Sequence, residues 1–238
     1  MTKVFQNIFR QWKGALMSYH KRLIRFGTLL IYPIPRFRPH YLIQIRSLPD
    51  ALAHFVFLIG DLIFIPEISS SIACILKPST RLLLPGEVDL IRSIYGENID
   101  LSLVLVDPKS RWFTRGKHIA YVAFQTINFW ESIEEAILIH ECFHILQFQR
   151  LGSVYIYESI KAQRSEQGYD YGGPQALEQG MMLGMYLEDY NFEQQAEIIE
   201  DAFRMVTDHQ ILPFYYTYFL HQLDVYMVQK KWPKKTNS

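Results

Sequence analysis

The chain of 238 residues has only two cysteines, Cys74 and Cys142, far apart and in no CxxC pair. That is too few for a disulfide framework, so two reduced, buried thiols are expected. Long apolar runs are also missing. The most apolar stretch, Ala51 to Pro66, is shorter than the roughly 20 residues a spanning helix needs, and Asp61 interrupts it. The first residues show no basic patch followed by an unbroken apolar stretch and a small-residue cleavage site, so no secretory signal is expected. No internal repeat or low-complexity tract is present. The last deficit is in acid: residues 1–49 contain no Asp or Glu.

Nine basic residues occupy that acid-free segment: Lys3, Arg10, Lys13, Lys21, Arg22, Arg25, Arg36, Arg38 and Arg46. With 24 basic and 24 acidic residues in all, the remainder carries 24 − 9 = 15 basic against 24 acidic, a net of −9. The zero overall charge thus hides a strong asymmetry. Hydrophobic residues make up 49% of the chain, with 15 Tyr and 16 Phe, which excludes a disordered protein and suffices for a sizeable core.

Three regions follow from these patterns. The first, 1–77, is basic and then apolar and should be mostly helical. Phe5, Ile8, Phe9, Trp12, Leu16 and Tyr19 fall at helical spacing. Prolines 33, 35 and 39 break any helix, and residues 51–65 read as a buried or surface-seeking helix. The second region, 78–212, reads as α+β. Pro85-Gly86-Glu87 opens a helix that Gly96 closes. Ile99 to Val106 and Ile119 to Phe129 are strand candidates. Ser132 with Glu135 resembles a capping box for a helix ended by Gly152. Further helices are expected over 153–165 and 191–207, with a loop at 168–175. The third region, 213–238, is an aromatic helix (Phe214, Tyr218, Leu223, Tyr226) with a polar tail.

His140-Glu141-Cys142-Phe143-His144 matches H-E-x-x-H. Residues four apart on a helix project from one face, so two imidazoles can reach one metal. Glu141, turned about 100° away, can approach a water on that metal without ligating it. Zinc lowers the pKa of such a water towards about 7, and a carboxylate can then accept its proton. The surrounding Leu138, Ile139, Phe143, Ile145 and Leu146 bury most of this helix. Two histidines and a glutamate there are costly unless paired or metal-bound. A third protein ligand must come from elsewhere. Glu193, Glu197 and Glu200 share one helical face downstream, which equally suits a solvated acidic surface. His209 and His221 lie in no recognisable site pattern.

HECFH followed by EQQAE resembles the gluzincin arrangement of H-E-x-x-H with a downstream E-x-x-A-[DE] helix. It is similar to that of the membrane-associated CAAX-prenyl-protease and HtpX-like peptidases. The resemblance implies Glu193 as third zinc ligand and Glu197, where those enzymes carry aspartate, as the group orienting a ligating histidine from behind. A second resemblance spans about residues 80–205. LLPGEVDLIRSIYGENIDLSLVLV, LIHECFHILQFQRLG, the YDYGG loop and the EQQAEIIED helix are similar to a group of bacterial metallopeptidase domains, some of which accompany secretion and toxin systems. Together these imply a zincin-like domain with a small mixed sheet, an active-site helix and a ligand helix.

The expected function is a zinc-dependent metallohydrolase, foremost a peptidase. His140, His144 and Glu193 hold Zn²⁺, Glu141 acts as general base, and a peptide or protein is the substrate. The strand at 119–125 is a candidate edge for pairing with that peptide. Tyr169 and Tyr171 are weaker candidates for oxyanion donors, and Gln147 either orients a ligand or faces solvent. The alternative is a catalytically silent zincin-fold binding or assembly module, with a membrane as one place of action. No nucleic-acid motif accompanies the basic segment. A basic layer packed on the acidic remainder is the favoured reading of it, and peripheral membrane contact through residues 1–66 is the alternative. The expected location is cytoplasmic, with or without that peripheral contact.

Overall fold

The computed structural model describes residues 2–31, 47–77, 79–110 and 120–223. The helical spacing near the N terminus folds as α1 (Thr2–Met17) and α2 (Tyr19–Ile31). The apolar run then forms two helices, α3 (Leu48–Leu62) and α4 (Ile65–Leu76). Ser47 caps α3, its side chain accepting from the Asp50 N–H at 3.3 Å. The single helix expected over 51–65 is broken at Phe64, which adopts a left-handed φ of 63°, with Pro66 in the first turn of α4. Trp12 and Tyr19 stack on the Phe64 ring at 5.5 and 5.3 Å, and the Arg22 guanidinium lies 5.4 Å from it. Aromatic packing holds a backbone that a bulky residue seldom adopts.

A four-stranded sheet follows: β1 (Arg81–Leu82), β2 (Leu105–Asp107), β3 (Tyr121–Ala123) and β4 (Thr126–Asn128), ordered β1-β2-β4-β3. β2 and β4 are parallel and the outer pairs antiparallel. The strand expected over Ile119–Phe129 is instead a hairpin, turning at Phe124 with φ 57°; Ile119 lies outside the described residues. The expected strand Ile99–Val106 begins as one 3-10 turn, Leu101–Leu103, and only its end joins the sheet. The cause is Asp100, whose carboxylate accepts from the Ser102 N–H at 3.1 Å and so competes with a sheet ladder.

The remaining elements are helical: α5 (Pro85–Tyr95), α6 (Glu135–Leu151), α7 (Val154–Gln163), α8 (Gly173–Met182), α9 (Phe192–Thr207) and α10 (Phe214–His221). α5 stops at Gly96 and α6 at Gly152, as expected. α6 starts at Glu135 with Glu134 as its cap, so the expected Ser132 capping box does not form; the Ser132 N–H instead bonds the Trp130 carbonyl at 2.8 Å. α8 occupies part of the expected loop, entered through Gly172 and Gly173 with φ 86° and 71°. Tyr226 and the polar tail lie outside the described residues.

The architecture is mixed α+β, mostly helical. One core joins α5, the sheet, α6, α9 and α10 around Ile91, Ile127, Ile139, Ile145, Ile199 and Phe219, all fully buried. α6 packs along α9 on one side and on β3 and β4 on the other. The N-terminal helices form a layer on this body: α1 packs on α4, α2 on α3, and α3 on α7. Arg22 ties α2 to α4 within the layer through a buried pair with Glu67 at 3.0 Å, and Arg25 ties the layer to the body by donating to the Gln149 carbonyl near the end of α6. No single described helix is long and apolar enough to cross a membrane; α3 and α4 reach that length only together, with a 65° bend between them.

Candidate metal centre

α6 is buried on nearly every side, from Ala136 to Phe148, so its polar residues His140, Glu141, His144 and Gln147 sit in an apolar helix with little access to water. α9 meets it with Glu193 in its first turn. Asn191 starts α9: its side chain accepts from the Glu193 and Gln194 N–H groups at 3.0 and 2.9 Å, and Gln194 returns a bond to the Asn191 N–H. A carboxylate in the first turn also meets the positive end of the helix dipole.

The structure brings His140, His144 and Glu193 together. One ligand atom from each lies within 4.8 Å of the others. Oε2 of Glu193 is 3.3 Å from Nε2 of His144 and 3.6 Å from Nε2 of His140. Tetrahedral zinc with bonds of about 2.0–2.1 Å separates its ligand atoms by roughly 3.3 Å. The Glu193 oxygen thus lies near zinc's ligand spacing from each imidazole nitrogen. Glu193 is 1% exposed, and its Oε2 has no hydrogen-bond partner of acceptable geometry. A buried, under-satisfied carboxylate oxygen aimed between two imidazole nitrogens is the donor set a divalent cation completes. The residues fit the ion.

Hydrogen bonds hold Glu193 and His144 from behind. Oε1 of Glu193 accepts from Gln163 of α7 at 3.0 Å, leaving Oε2 free to face the histidines. Nδ1 of His144 lies 2.8 Å from Oε1 of Gln147. The Gln147 amide donates to the Phe192 carbonyl (3.3 Å) and to Oε1 of Gln195 (3.2 Å). Gln195 in turn donates to the Tyr190 carbonyl at 2.8 Å. These acceptors fix which way the Gln147 amide points, so its oxygen faces His144. Nδ1 of His144 then carries a proton, which leaves Nε2 as the nitrogen able to present a lone pair to a cation. On His140, Nδ1 is within ion-pair distance of Oε2 of Glu200, at 3.0 Å, but makes no hydrogen bond of acceptable geometry; Arg204 holds the other Glu200 oxygen at 2.7 Å. Glu197, expected behind a histidine, is 3.8 Å from the same nitrogen and one-third exposed. Glu200 occupies the nearer place.

The charges are strongly coupled. Burial alone would lower the His140 pKa, but Glu193 and Glu200 outweigh it and raise it to about 10. His144 is likewise raised, burial opposing and Glu193 prevailing. Burial works against ionised Glu193, yet the two imidazoles hold its pKa far below the usual carboxylate range. Glu141 differs. Burial raises its pKa, and its Oε2 has no partner. A carboxylate of raised basicity beside the cluster is suited to taking up a proton.

The other candidates separate cleanly. The Tyr169 ring is 6.1 Å from that of His140, and its pKa is raised by burial and by Glu193. The Tyr171 hydroxyl is turned to Asp201 and Tyr216, so it is no oxyanion donor to this cluster. His209 and His221 are exposed and outside the cluster. Cys142 is fully buried, and burial pushes its thiol pKa well up, as expected of a packing residue. β3 is an edge strand, but its Val122 carbonyl already accepts from the Tyr155 hydroxyl at 3.0 Å. The supporting residues Gln163, Gln195 and Tyr155 carry no sequence signal of their own; they are found only by seeing which helices meet.

No family model matches the chain, and no solved structure matches it. Over 135 residues, 52% of this chain, it is 27% identical to the type VI secretion system spike protein VgrG2b of Pseudomonas aeruginosa, and that match spans 13% of the spike protein's length.

Proposed function

We propose that the chain is a zinc-dependent metallohydrolase, foremost a peptidase, on a zincin-like fold. The observation that carries this reading is Oε2 of Glu193, buried and without a hydrogen-bond partner, lying 3.3 and 3.6 Å from Nε2 of His144 and of His140. His140, His144 and Glu193 would hold the ion. A bound Zn²⁺ supplies Lewis acidity, making a water acidic and polarising a carbonyl. The chain's own residues do the rest. Glu141 accepts the proton of the attacking water and returns it to the leaving amine, a task its raised basicity suits. Gln147 and Gln163 keep the His144 and Glu193 ligand atoms aimed at one point, and Glu200 supplies charge beside His140. Tyr169, whose ring lies 6.1 Å from that of His140, would be the candidate donor to the oxygen on which negative charge develops. A peptide would lie along β3, with Tyr155 keeping the Val122 carbonyl occupied at that point of the edge. The partial likeness to a secretion-system spike protein adds an association with secretion to this reading.

The test is metal analysis joined to turnover. Wild-type protein should purify with one zinc per chain and cleave a mixed peptide library. Glu141→Gln should keep the zinc and lose cleavage by about 10²-fold or more, the usual contribution of a positioned general base. A wild type that takes up no zinc on dialysis against it, or a Glu141→Gln variant that cleaves at wild-type rate, would sink the proposal.

A further inference from the structure

The bent pair α3–α4 is inside out. A helix on the surface of a water-soluble domain buries its apolar stripe and shows its polar one. Here the order is reversed. The buried face of α3 carries Asp50, His54, Leu58 and Asp61, and that of α4 carries Pro66, Glu67, Ser70 and Cys74. The outward face of α3 carries Leu48, Leu52 and Val56, followed by Ile63, each more than half exposed. On α4 it carries Ile68, Ile72 and Ile75. From Asp50 to Leu76 every charged or titratable side chain except the Cys74 thiol is Asp50, His54, Asp61 or Glu67, and every one of these is turned inward.

Each inward group is also satisfied. Asp50 accepts from Lys161 at 2.6 Å and Tyr157 at 2.7 Å. His54 meets Glu158 at 2.6 Å, Asp61 accepts from the Ser153 N–H at 2.9 Å, and Glu67 pairs with Arg22. Burying four such groups beneath an apolar exterior is unfavourable in water and is what hydrocarbon demands. The patch spans two adjoining helices, beyond the scattered apolar residues of an ordinary surface. The flanking helices supply charge of one sign. Lys3, Lys13 and Lys21 are exposed on α1 and α2, Phe5, Phe9 and Leu16 are exposed beside them, and no acid precedes Asp50. The remainder of the chain, at net −9, would be repelled by the surface that attracts these lysines.

We propose that the outward face of α3–α4 seats in the interfacial layer of an anionic lipid bilayer, with the lysines of α1 and α2 on its headgroups. The pair lies in the interface and does not cross. α3 is packed on α7 and α4 on α1, so both helices stay with the body while their outer faces enter the lipid. This holds whether or not the metal centre is catalytic.

Flotation of the full chain with phosphatidylcholine vesicles, with and without phosphatidylglycerol, tests it. Wild-type protein should float with the anionic vesicles and be released by salt. Leu52→Glu/Ile72→Glu should weaken flotation by about tenfold or more, since it charges the inserted face. Lys13→Glu/Lys21→Glu should weaken it by a similar factor on anionic vesicles only. All four positions are exposed; circular dichroism melts and zinc content confirm folding, and a neutral pair, Val56→Asn/Ile75→Asn, repeats the test on the same face. Three results overturn the proposal: no flotation of wild type on either vesicle, unchanged flotation of both outer-face variants, or a wild-type dimer that Leu52→Glu/Ile72→Glu dissociates without any vesicle binding, which would give the face to a second copy of the chain.

Discussion

Oε2 of Glu193 lies 3.3 Å from Nε2 of His144, and the two residues come from different helices packed side by side. That distance is longer than an ordinary hydrogen bond and is about the edge of a zinc coordination tetrahedron. If the cluster holds zinc as proposed, folding and metal binding are coupled. Zinc at a thousandfold excess over its dissociation constant stabilises the native state by about 4 kcal/mol. In a chain of this size that is about 10 °C in Tm. Wild-type protein should lose roughly this much on chelation, as read by calorimetry. Glu193→Ala should show no zinc dependence of Tm at the same metal concentration. Identical chelator shifts in both would place the metal elsewhere.

Gln147 tests the positioning of the ligands. Its carbonyl oxygen faces Nδ1 of His144 while its amide is held by Phe192 and Gln195. Gln147→Leu removes the group that fixes the tautomer and leaves Nε2 of His140 and of His144 in place. Zinc affinity should fall about 10–100-fold, the usual effect of losing a partner behind a ligand. Gln147→Glu, which keeps an acceptor, should recover most of it. Competition with a calibrated zinc chelator measures both.

Much of this centre is legible in the sequence, because its main parts are local. His140 and His144 are four apart, and helical geometry alone puts them on one face. The same rule groups Glu193, Glu197 and Glu200. What spacing does not contain is the register between α6 and α9. That register sets Glu200, not Glu197, nearest to Nδ1 of His140, and brings Gln163 in from α7. The small sheet is hard to read for a related reason. Its strands are two or three residues long, so alternation has no room to show, and Phe124 turns the chain where the β-branched run looks continuous. The apolar run of α3–α4 is the sharpest case. A helix with buried carboxylates and exposed leucines has the same periodicity as one facing the other way. Only its packing on α7 and α1 tells them apart.

Gly152 joins the end of α6 to the N-terminal layer. Its φ of 74° and ψ of −159° are open almost only to glycine. A Cβ there would stand 2.1 Å from Oδ2 of Asp61 on α3, the atom that accepts the Ser153 N–H. Gly152→Ala therefore meets both a backbone penalty of about 1–3 kcal/mol and a steric one against a buried carboxylate. Urea unfolding should show a loss of at least the backbone share. A variant as stable as wild type would mean that α3 does not dock here.

Asp50 makes the docking of α3 on α7 depend on pH. Burial opposes its charge, but bonds from Lys161, Tyr157 and Ser47 hold its pKa well below the usual carboxylate value. A carboxyl whose pKa is depressed on folding binds fewer protons in the native state than in the unfolded one. Its contribution is complete above the unfolded pKa of about 3.9 and is lost as pH falls from there through the folded value. Lys161 is partly exposed, so the contribution is discounted for solvent to about 1–2 kcal/mol. Asp50→Asn should lower stability by that amount at neutral pH. Below pH ~3 the difference between the two proteins should shrink, and their acid unfolding curves should converge. Tyr157→Phe, which removes one of the three donors, should fall between them. If the gap between wild type and Asp50→Asn stays constant down to the acid transition, the bond to Lys161 does not hold the N-terminal layer in place.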